Sequence, residues 1–327
     1  MAFTYRMSTI EDIDQLVEFW NINSGWDTID RNEWERRFRY TPLGEPAISL
    51  AIDEQTNKLA GQFIFIPSKV VVSGKYYKAF RPFAPVLNKE LQKFNFLNLL
   101  QHPIFQLYNQ AVSFFREEGI ALIHMVPDPR WSRAFQFVPF FQTQSFPLWS
   151  KPLAENVTTD LPQEISIQKI EPSDARIDAL WTQASQVYSC QLVRSTDILP
   201  WKISHGDYHL TGVFYDSELT GLFTTLRKAK ERQWLICDIV TKDGRDGLRN
   251  SLQAACFSIN KEHSALPFHE QQNNKIALLS TPLIEPVIKE MGFRKDNYQF
   301  TLVVHLLSEQ LSKHDVNPRD WYVSAND

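Results

Sequence analysis

Residues 47–66 read AISLAIDEQTNKLAGQFIFI, and residues 209–226 read HLTGVFYDSELTGLFTTL. In each, two apolar runs flank a short polar loop, which predicts a β-hairpin. Leu59-Ala60-Gly61-Gln62-Phe63 opens the second run of the first hairpin. Leu219-Thr220-Gly221-Leu222-Phe223 opens that of the second, 160 positions on. Upstream, Ile13-Asp14-Gln15-Leu16 is echoed by Ile177-Asp178-Ala179-Leu180 at an offset of 164. Two matches at nearly one offset imply a duplicated unit with a few residues gained or lost between copies.

Length agrees with this reading: 327 residues suit two domains of about 150–170, each able to bury its own core. The expected division is residues 1–150 and 160–327. The proline-bearing stretch 147–164, PLWSKPLAENVTTDLPQE, is the expected linker. The hydrophobic fraction of 43% and charged fraction of 22% are those of a globular chain. No apolar run approaches the ~20 residues that span a bilayer, so no membrane partner is expected. The opening MAFTYRMSTIEDID has neither the basic nor the apolar region of an export signal. Cys190, Cys237 and Cys256 are odd in number and lack metal-ligand spacing, which predicts reduced thiols and a cytoplasmic location. A net charge of −4 removes the broad attraction that nucleic-acid binding rests on. The basic clusters Arg36-Arg37-Phe38-Arg39 and Arg227-Lys228-Ala229-Lys230 read as solvated faces. His205 and His209 are spaced to share a helix face, but Gly206 and the strand expected from Tyr208 argue against a helix, and no metal is expected.

Along the chain, the first copy reads as strand 3–7, helix 10–21, the 47–66 hairpin and a strand pair 69–72 and 76–87. Helix 103–118 follows, then strand 120–126, a short helix after Pro129 and a strand near 137–146. Ser8 and Glu11 fit a capping box at the first helix. The second copy repeats the order with strand 165–169, helix 174–187, the 209–226 hairpin, strand 234–240 and helix 248–260. Strand 275–279, helix 283–291 and strand 298–306 complete it.

These residues resemble the GCN5-related N-acetyltransferases in a tandem, two-domain bacterial form. Arg6 with Glu11-Asp12-Ile13 is similar to that family's opening strand and helix. Ala51-Ile52-Asp53 through Leu59-Ala60-Gly61 is similar to its second and third strands, and Met291-Gly292-Phe293 to the segment after its last helix. Arg194 through Lys202, with Tyr208, and the terminal Asp320-Trp321-Tyr322-Val323 resemble segments of uncharacterised two-domain members. The resemblance implies an α/β fold of the mixed-sheet α+β kind, with acyl-CoA in a gap between the fourth and fifth strands. It also implies that backbone N–H groups of a glycine-rich turn hold the pyrophosphate at a helix N-terminus.

Both copies depart from the family's turn. The first has Leu99-Leu100-Gln101-His102-Pro103, with no Arg or Gly, and Pro103 removes one N–H. The second has Asp243-Gly244-Arg245-Asp246-Gly247-Leu248-Arg249, which keeps Arg and Gly ahead of a helix. The expected acetyl-CoA site is therefore in the second copy, at Val240, Gly244, Arg245, Gly247, Leu248 and Arg249. Acyl transfer to an amine needs a base and an acid. Asp238, a carboxylate amid apolar strand neighbours, is the candidate base, and Tyr298 the candidate acid; His124 is a lesser candidate in the first copy. Arg194, Trp201, Lys202 and Tyr208 combine cations with aromatic faces and suit an anionic, ring-containing acceptor. The expected reaction is N-acylation of a small-molecule amine, with amino sugars and nucleotide sugars as candidates. Two alternatives stand beside it: a non-catalytic scaffold of duplicated fold, and an aminoacyl or peptidyl transferase that uses no CoA.

Overall fold

The computed structural model describes residues 2–92, 100–153 and 161–325. The first half runs β1 (Phe3–Met7), α1 (Ile13–Asn23), α2 (Arg31–Trp34), β2 (Ala47–Asp53), β3 (Leu59–Val72) and β4 (Lys75–Leu87). It continues through α3 (Pro103–Glu117), β5 (Leu122–Met125), α4 (Pro129–Phe135) and β6 (Gln142–Pro152). The second half runs β7 (Ile165–Lys169), α5 (Arg176–Ala184), β8 (Cys190–Leu192), α6 (Leu199–Ile203), β9 (Tyr208–Tyr215), β10 (Glu218–Lys228) and β11 (Gln233–Thr241). It ends with α7 (Gly244–Ser264), α8 (Phe268–Gln271), β12 (Lys275–Leu279), α9 (Glu285–Glu290), β13 (Arg294–Leu306) and β14 (Trp321–Tyr322).

All of these strands join one mixed sheet, ordered β1-β2-β3-β4-β5-β13-β6-β12-β11-β10-β9-β7, with β8 bridging β3 and β14. Read inward from either edge, the roles repeat. A first strand meets a hairpin, then a strand that pairs in parallel with the strand following a long helix. The parallel pairs are β4 with β5 and β11 with β12. The final strands are exchanged. β13, from the second half, lies antiparallel on β5, and β6, from the first, lies antiparallel on β12. These two strands also pair with each other at the centre. The expected linker therefore begins inside a strand: Pro147–Pro152 belongs to β6, pairing Leu148 with Leu279 and Trp149 with Leu278. Residues 154–160 of that stretch lie outside the described residues.

The echoed L-x-G-x-F motif has a structural cause. The ladder shifts register between Ala51 and Ile52 of β2, which face Gly61 and Leu59, so Ala60 is a bulge. The same shift occurs between Leu219 and Gly221 of β10, leaving Thr220 as the bulge. Each glycine then lets a helix approach. A Cβ on Gly61 would sit 2.6 Å from Leu87 and 3.3 Å from Leu107 of α3. On Gly221 it would sit 2.5 Å from Ser251 of α7. The phenylalanines that follow, Phe63 and Phe223, enter the cores beneath α3 and α7.

Two local expectations shift. The cap of the first helical turn is Thr9 with Asp12, one residue beyond the expected Ser8 and Glu11: the Thr9 N–H donates to Asp12 Oδ2 at 2.7 Å. The strand at 69–72 is the continuation of β3 through Pro67. β3 is paired to β2 as far as Phe65 and to β8 from Val70, so Pro67 falls between those partners, where a missing N–H is tolerated.

Candidate functional site

The site in the first half follows from where β4 leaves its neighbours. β4 pairs with β5 only at Ala79–Leu122 and Phe80–Ile123, and beyond these the two parallel strands diverge. Against β3, the register of β4 slips between Gln62 and Ile64, opposite Val86 and Phe83, which makes a bulge at Ala84-Pro85. Ala84 has φ +41°, a strained value for a residue with a Cβ.

Two cavities meet this segment. The first, of about 350 Å³, is walled by Arg81 and Phe83 of β4, Ile66–Lys69 of β3, His124 of β5, Arg37 and Phe38 after α2, and Trp201, Lys202, His205 and Tyr208 from the second half. The second, of about 530 Å³, is walled by Pro85–Leu87 of β4, Lys89, Gln92, the end of α1 from Ile22 to Gly25, His102 and Ile104 at the start of α3, and Trp131. Phe83 thus faces one cavity and Pro85 the other, with the bulged Ala84 between them. His124 is buried, and its Nε2 lies 2.9 Å from Ser68 Oγ on the wall of the first cavity. Burial pushes the Tyr208 phenol up to about 12, so it remains a protonated donor at neutral pH. His205 is held below the usual imidazole value, first by burial and then by Arg36, Arg37 and Arg81.

In the second half the same architecture is filled. β11 pairs with β12 from Gln233 to Ile236 and then leaves it while staying on β10 as far as Thr241, with Cys237 as a bulge. The side chain of Tyr322, from the end of the chain, closes the gap. Its Oη accepts from the Ile239 N–H at 3.2 Å and donates to the Ile239 carbonyl at 2.8 Å. Tyr188 stacks on it at 4.5 Å between ring centroids.

The expected site residues are distributed accordingly. Asp238 is 1% exposed and Arg194 0% exposed, and they form a buried ion pair with Nε to Oδ1 at 2.7 Å. The Ser324 hydroxyl donates to Asp238 Oδ1 at 2.7 Å, and Lys202 Nζ lies 3.9 Å from Oδ2. Tyr298 is 43% exposed on β13 beside Phe300. Three strand spacings, roughly 14 Å, separate its strand from that of Asp238, so the expected base and acid do not share a site. Trp201, Lys202 and Tyr208 do come together on the first cavity, whereas Arg194 is buried away from its wall with Asp238.

At the turn into α7, Gly244 has φ +53°, and Arg245 and Arg249 both pair with Glu290, Arg249 at 2.8 Å. A Cβ on Gly247 would sit 2.0 Å from Thr241 Oγ1, so this glycine serves helix-to-strand packing. Val240 and Leu248 are core residues on opposite faces of the sheet. The sequence reading missed Ser68, Arg81, Phe83 and Lys89, and took Arg37 for a solvated residue. One signal was present: Arg81-Pro82-Phe83-Ala84-Pro85 places two prolines in a strand, which marks an interrupted ladder.

No protein-family model matches the chain, and no curated protein does. Solved structures do. A GCN5-related N-acetyltransferase from Anabaena variabilis superposes with a TM-score of 0.66 at 16% identity, over 94% of this chain and 73% of that one. A probable N-acyltransferase from Enterococcus faecalis gives 0.63 at 9% identity, over 92% and 72%. The fold is that of the GCN5-related N-acetyltransferases. Saccharomyces cerevisiae N-myristoyltransferase with bound myristoyl-CoA aligns more loosely, at 0.56 and 10% identity over 94% of this chain and 79% of that one. The parallel pairs β4/β5 and β11/β12 each part along their length, one pair in each half. Among the described residues, the two cavities above lie along β4. No helix among the described residues is long and apolar enough to cross a membrane.

Proposed function

We propose that the protein is an acyl-CoA-dependent N-acyltransferase acting on a small-molecule amine, with its site in the first half. The observation that carries this reading is the meeting of two cavities on β4, either side of the bulged Ala84. The acyl donor takes the larger cavity and the amine the smaller. Acyl-CoA supplies the activated acyl group. Lys89 stands on the wall of the larger cavity, where a cation suits the donor's phosphates. The amine nitrogen would attack the thioester carbonyl and the C–S bond break, CoA leaving as a thiolate. His124 receives the proton that the amine loses and can return it to that thiolate, and Ser68 orients its ring. Tyr208 lends a phenolic donor to the acceptor.

Site assignment to Gly244–Arg249, favoured by glycine and arginine spacing, is set aside because Tyr322 fills the gap that a pantetheine arm would enter. The second half instead contributes a wall of the acceptor cavity through Trp201 and Lys202.

A thermal-shift screen with acetyl-CoA and longer acyl-CoAs tests this. A ligand at a hundred times its Kd adds about 2.7 kcal/mol of stability. Lys89→Ala should weaken binding about tenfold, and Arg245→Ala with Arg249→Ala should leave it unchanged. Absence of any shift refutes acyl-CoA dependence, and loss of the shift only in the arginine variant returns the site to the second half.

A further inference from the structure

Much of the smaller cavity's wall is apolar. Phe38, Ile66 and Phe83 of the first half and Leu192, Val193 and Ile198 of the second line it, and all but the half-buried Phe83 are core residues. Trp201 and His205 add rings, set edge to face with their centroids 4.9 Å apart. The charged lining is of one sign: Arg37, Lys69, Arg81 and Lys202, with no Asp or Glu among the described residues that line the space. These cations are held by the chain itself and do not call for an anion. Arg37 pairs with Glu33, Lys69 lies 4.8 Å over the Tyr76 ring, Arg81 lies 6.0 Å over the Phe83 ring, and Lys202 Nζ is 3.9 Å from Asp238. Both acids behind the wall are shared, Glu33 by Arg36 and Arg37 and Asp238 by Arg194 and Lys202. Neither is left over for a cation that enters. His205 registers the field on this wall: after burial, Arg36, Arg37 and Arg81 hold its imidazole below the usual value, against a smaller opposing effect of Glu33. An ammonium group entering here loses its water, meets cations and apolar side chains, and finds no carboxylate. A neutral amine meets none of these penalties, and a ring attached to it packs against the aromatic and aliphatic wall.

We propose that the acceptor is an uncharged, weakly basic amine borne on an aromatic ring, an arylamine, and that this cavity discriminates against alkylammonium compounds. This inference rests on the acceptor assignment made above. Such an amine arrives with its nitrogen lone pair free for attack, so His124 serves only the proton released on attack. Selection then comes from the charge state of the nitrogen and from the ring, and not from a counter-ion in the wall.

The test is calorimetry on the full chain with aniline and benzylamine, amines of similar size of which the first is neutral at pH 7 and the second protonated. Aniline should bind roughly tenfold or more tightly than benzylamine at pH 7. Between pH 7 and 8.5 the ratio of affinities should move toward benzylamine by roughly tenfold per pH unit, as its free base becomes available. Tyr208, pushed up to about 12, and His205, held low, do not titrate in this interval. Any titration of His124 or the lysines acts on both ligands and is read from the aniline series. The variant Arg37→Gln with Lys69→Met, shown to be folded by far-UV circular dichroism, should lose roughly threefold or more of the preference for aniline at pH 7. Lys69→Met alone keeps the Arg37–Glu33 pair, should show a smaller loss, and serves where the double variant does not fold. The proposal is overturned if benzylamine binds at pH 7 as tightly as aniline, if the ratio does not move with pH, if the folded variants keep the wild-type preference, or if aniline does not bind at millimolar concentration. These outcomes are read without acyl-CoA, so failure of the acyl-donor assignment shows separately, as the absence of an acyl-CoA shift.

Discussion

Asp238 shows how a single residue changes meaning once its neighbours are known. A carboxylate in an apolar strand reads as a base, yet both its oxygens face cations of its own chain, with Arg194 at 2.7 Å. Removing one member of a fully buried pair leaves the other charge without compensation, at a cost of roughly 3–5 kcal/mol. Asp238→Ala should therefore lower the unfolding free energy measured by urea titration by that amount, and any loss of acyl transfer should track unfolding. A variant of wild-type stability with abolished turnover would restore the catalytic role. Arg194 is constrained in the same way: two further N–H groups go to the Leu192 carbonyl at 2.7 Å and the Ser324 hydroxyl at 3.1 Å, which holds Ser324 beside β11.

Among the elements, the junction of β1 with the first helical turn is held by a carboxylate. Arg6 donates to both oxygens of Asp12, at 2.8 and 2.6 Å, and the Thr9 N–H adds a third bond. Those bonds, Arg6 first, hold the Asp12 carboxyl at about 2, against the opposing effect of burial. The folded value lies below the unfolded one of about 3.9. The stabilisation is thus complete above about pH 5 and is lost as pH falls through 4 towards 2. The Arg6 side chain is 43% exposed, so solvent screening limits the contribution to roughly 1–2 kcal/mol. Asp12→Asn should cost about that at pH 7 and almost nothing at pH 2, measured by denaturant titration at each pH. An equal cost at both values would show that the pair does not act through charge.

For the whole molecule, the exchanged strands decide what can fold alone. A chain ending at 153 keeps β6 but leaves the edge of β5 without β13. A chain starting at 161 leaves β12 without β6. Each isolated half then exposes open sheet edge and apolar surface, the combination that leads to aggregation. Residues 1–153 and 161–327 expressed separately should be insoluble or unfolded. Co-expressed, they should co-purify as a one-to-one complex with the circular dichroism of the intact chain. A soluble, cooperatively folding half would mean that the exchange is dispensable.

Most of the elements could be read from local pattern. Hairpin alternation is local, and the L-x-G-x-F motif is kept twice because both copies need a bulge followed by a glycine where a helix meets the sheet. The helix starting at Pro103 and ending before Gly119 was equally legible, as were the β7 and β12 strands. Three further things depended on residues distant along the chain. The sequence could show β6 and β13 as strands, but which half each would join is a matter of tertiary pairing. The glycine and arginine turn at Gly244–Arg249 looked like the better phosphate site, while the side chain that closes its gap, Tyr322, lies more than seventy residues away. The smaller cavity gathers Arg37, Arg81, His124 and Trp201 from four separate segments. Local patterning fixes which residues alternate or cap, since those forces act within a few residues. Where two strands diverge and what fills the opening is settled by packing across the whole sheet, between residues far apart in the chain.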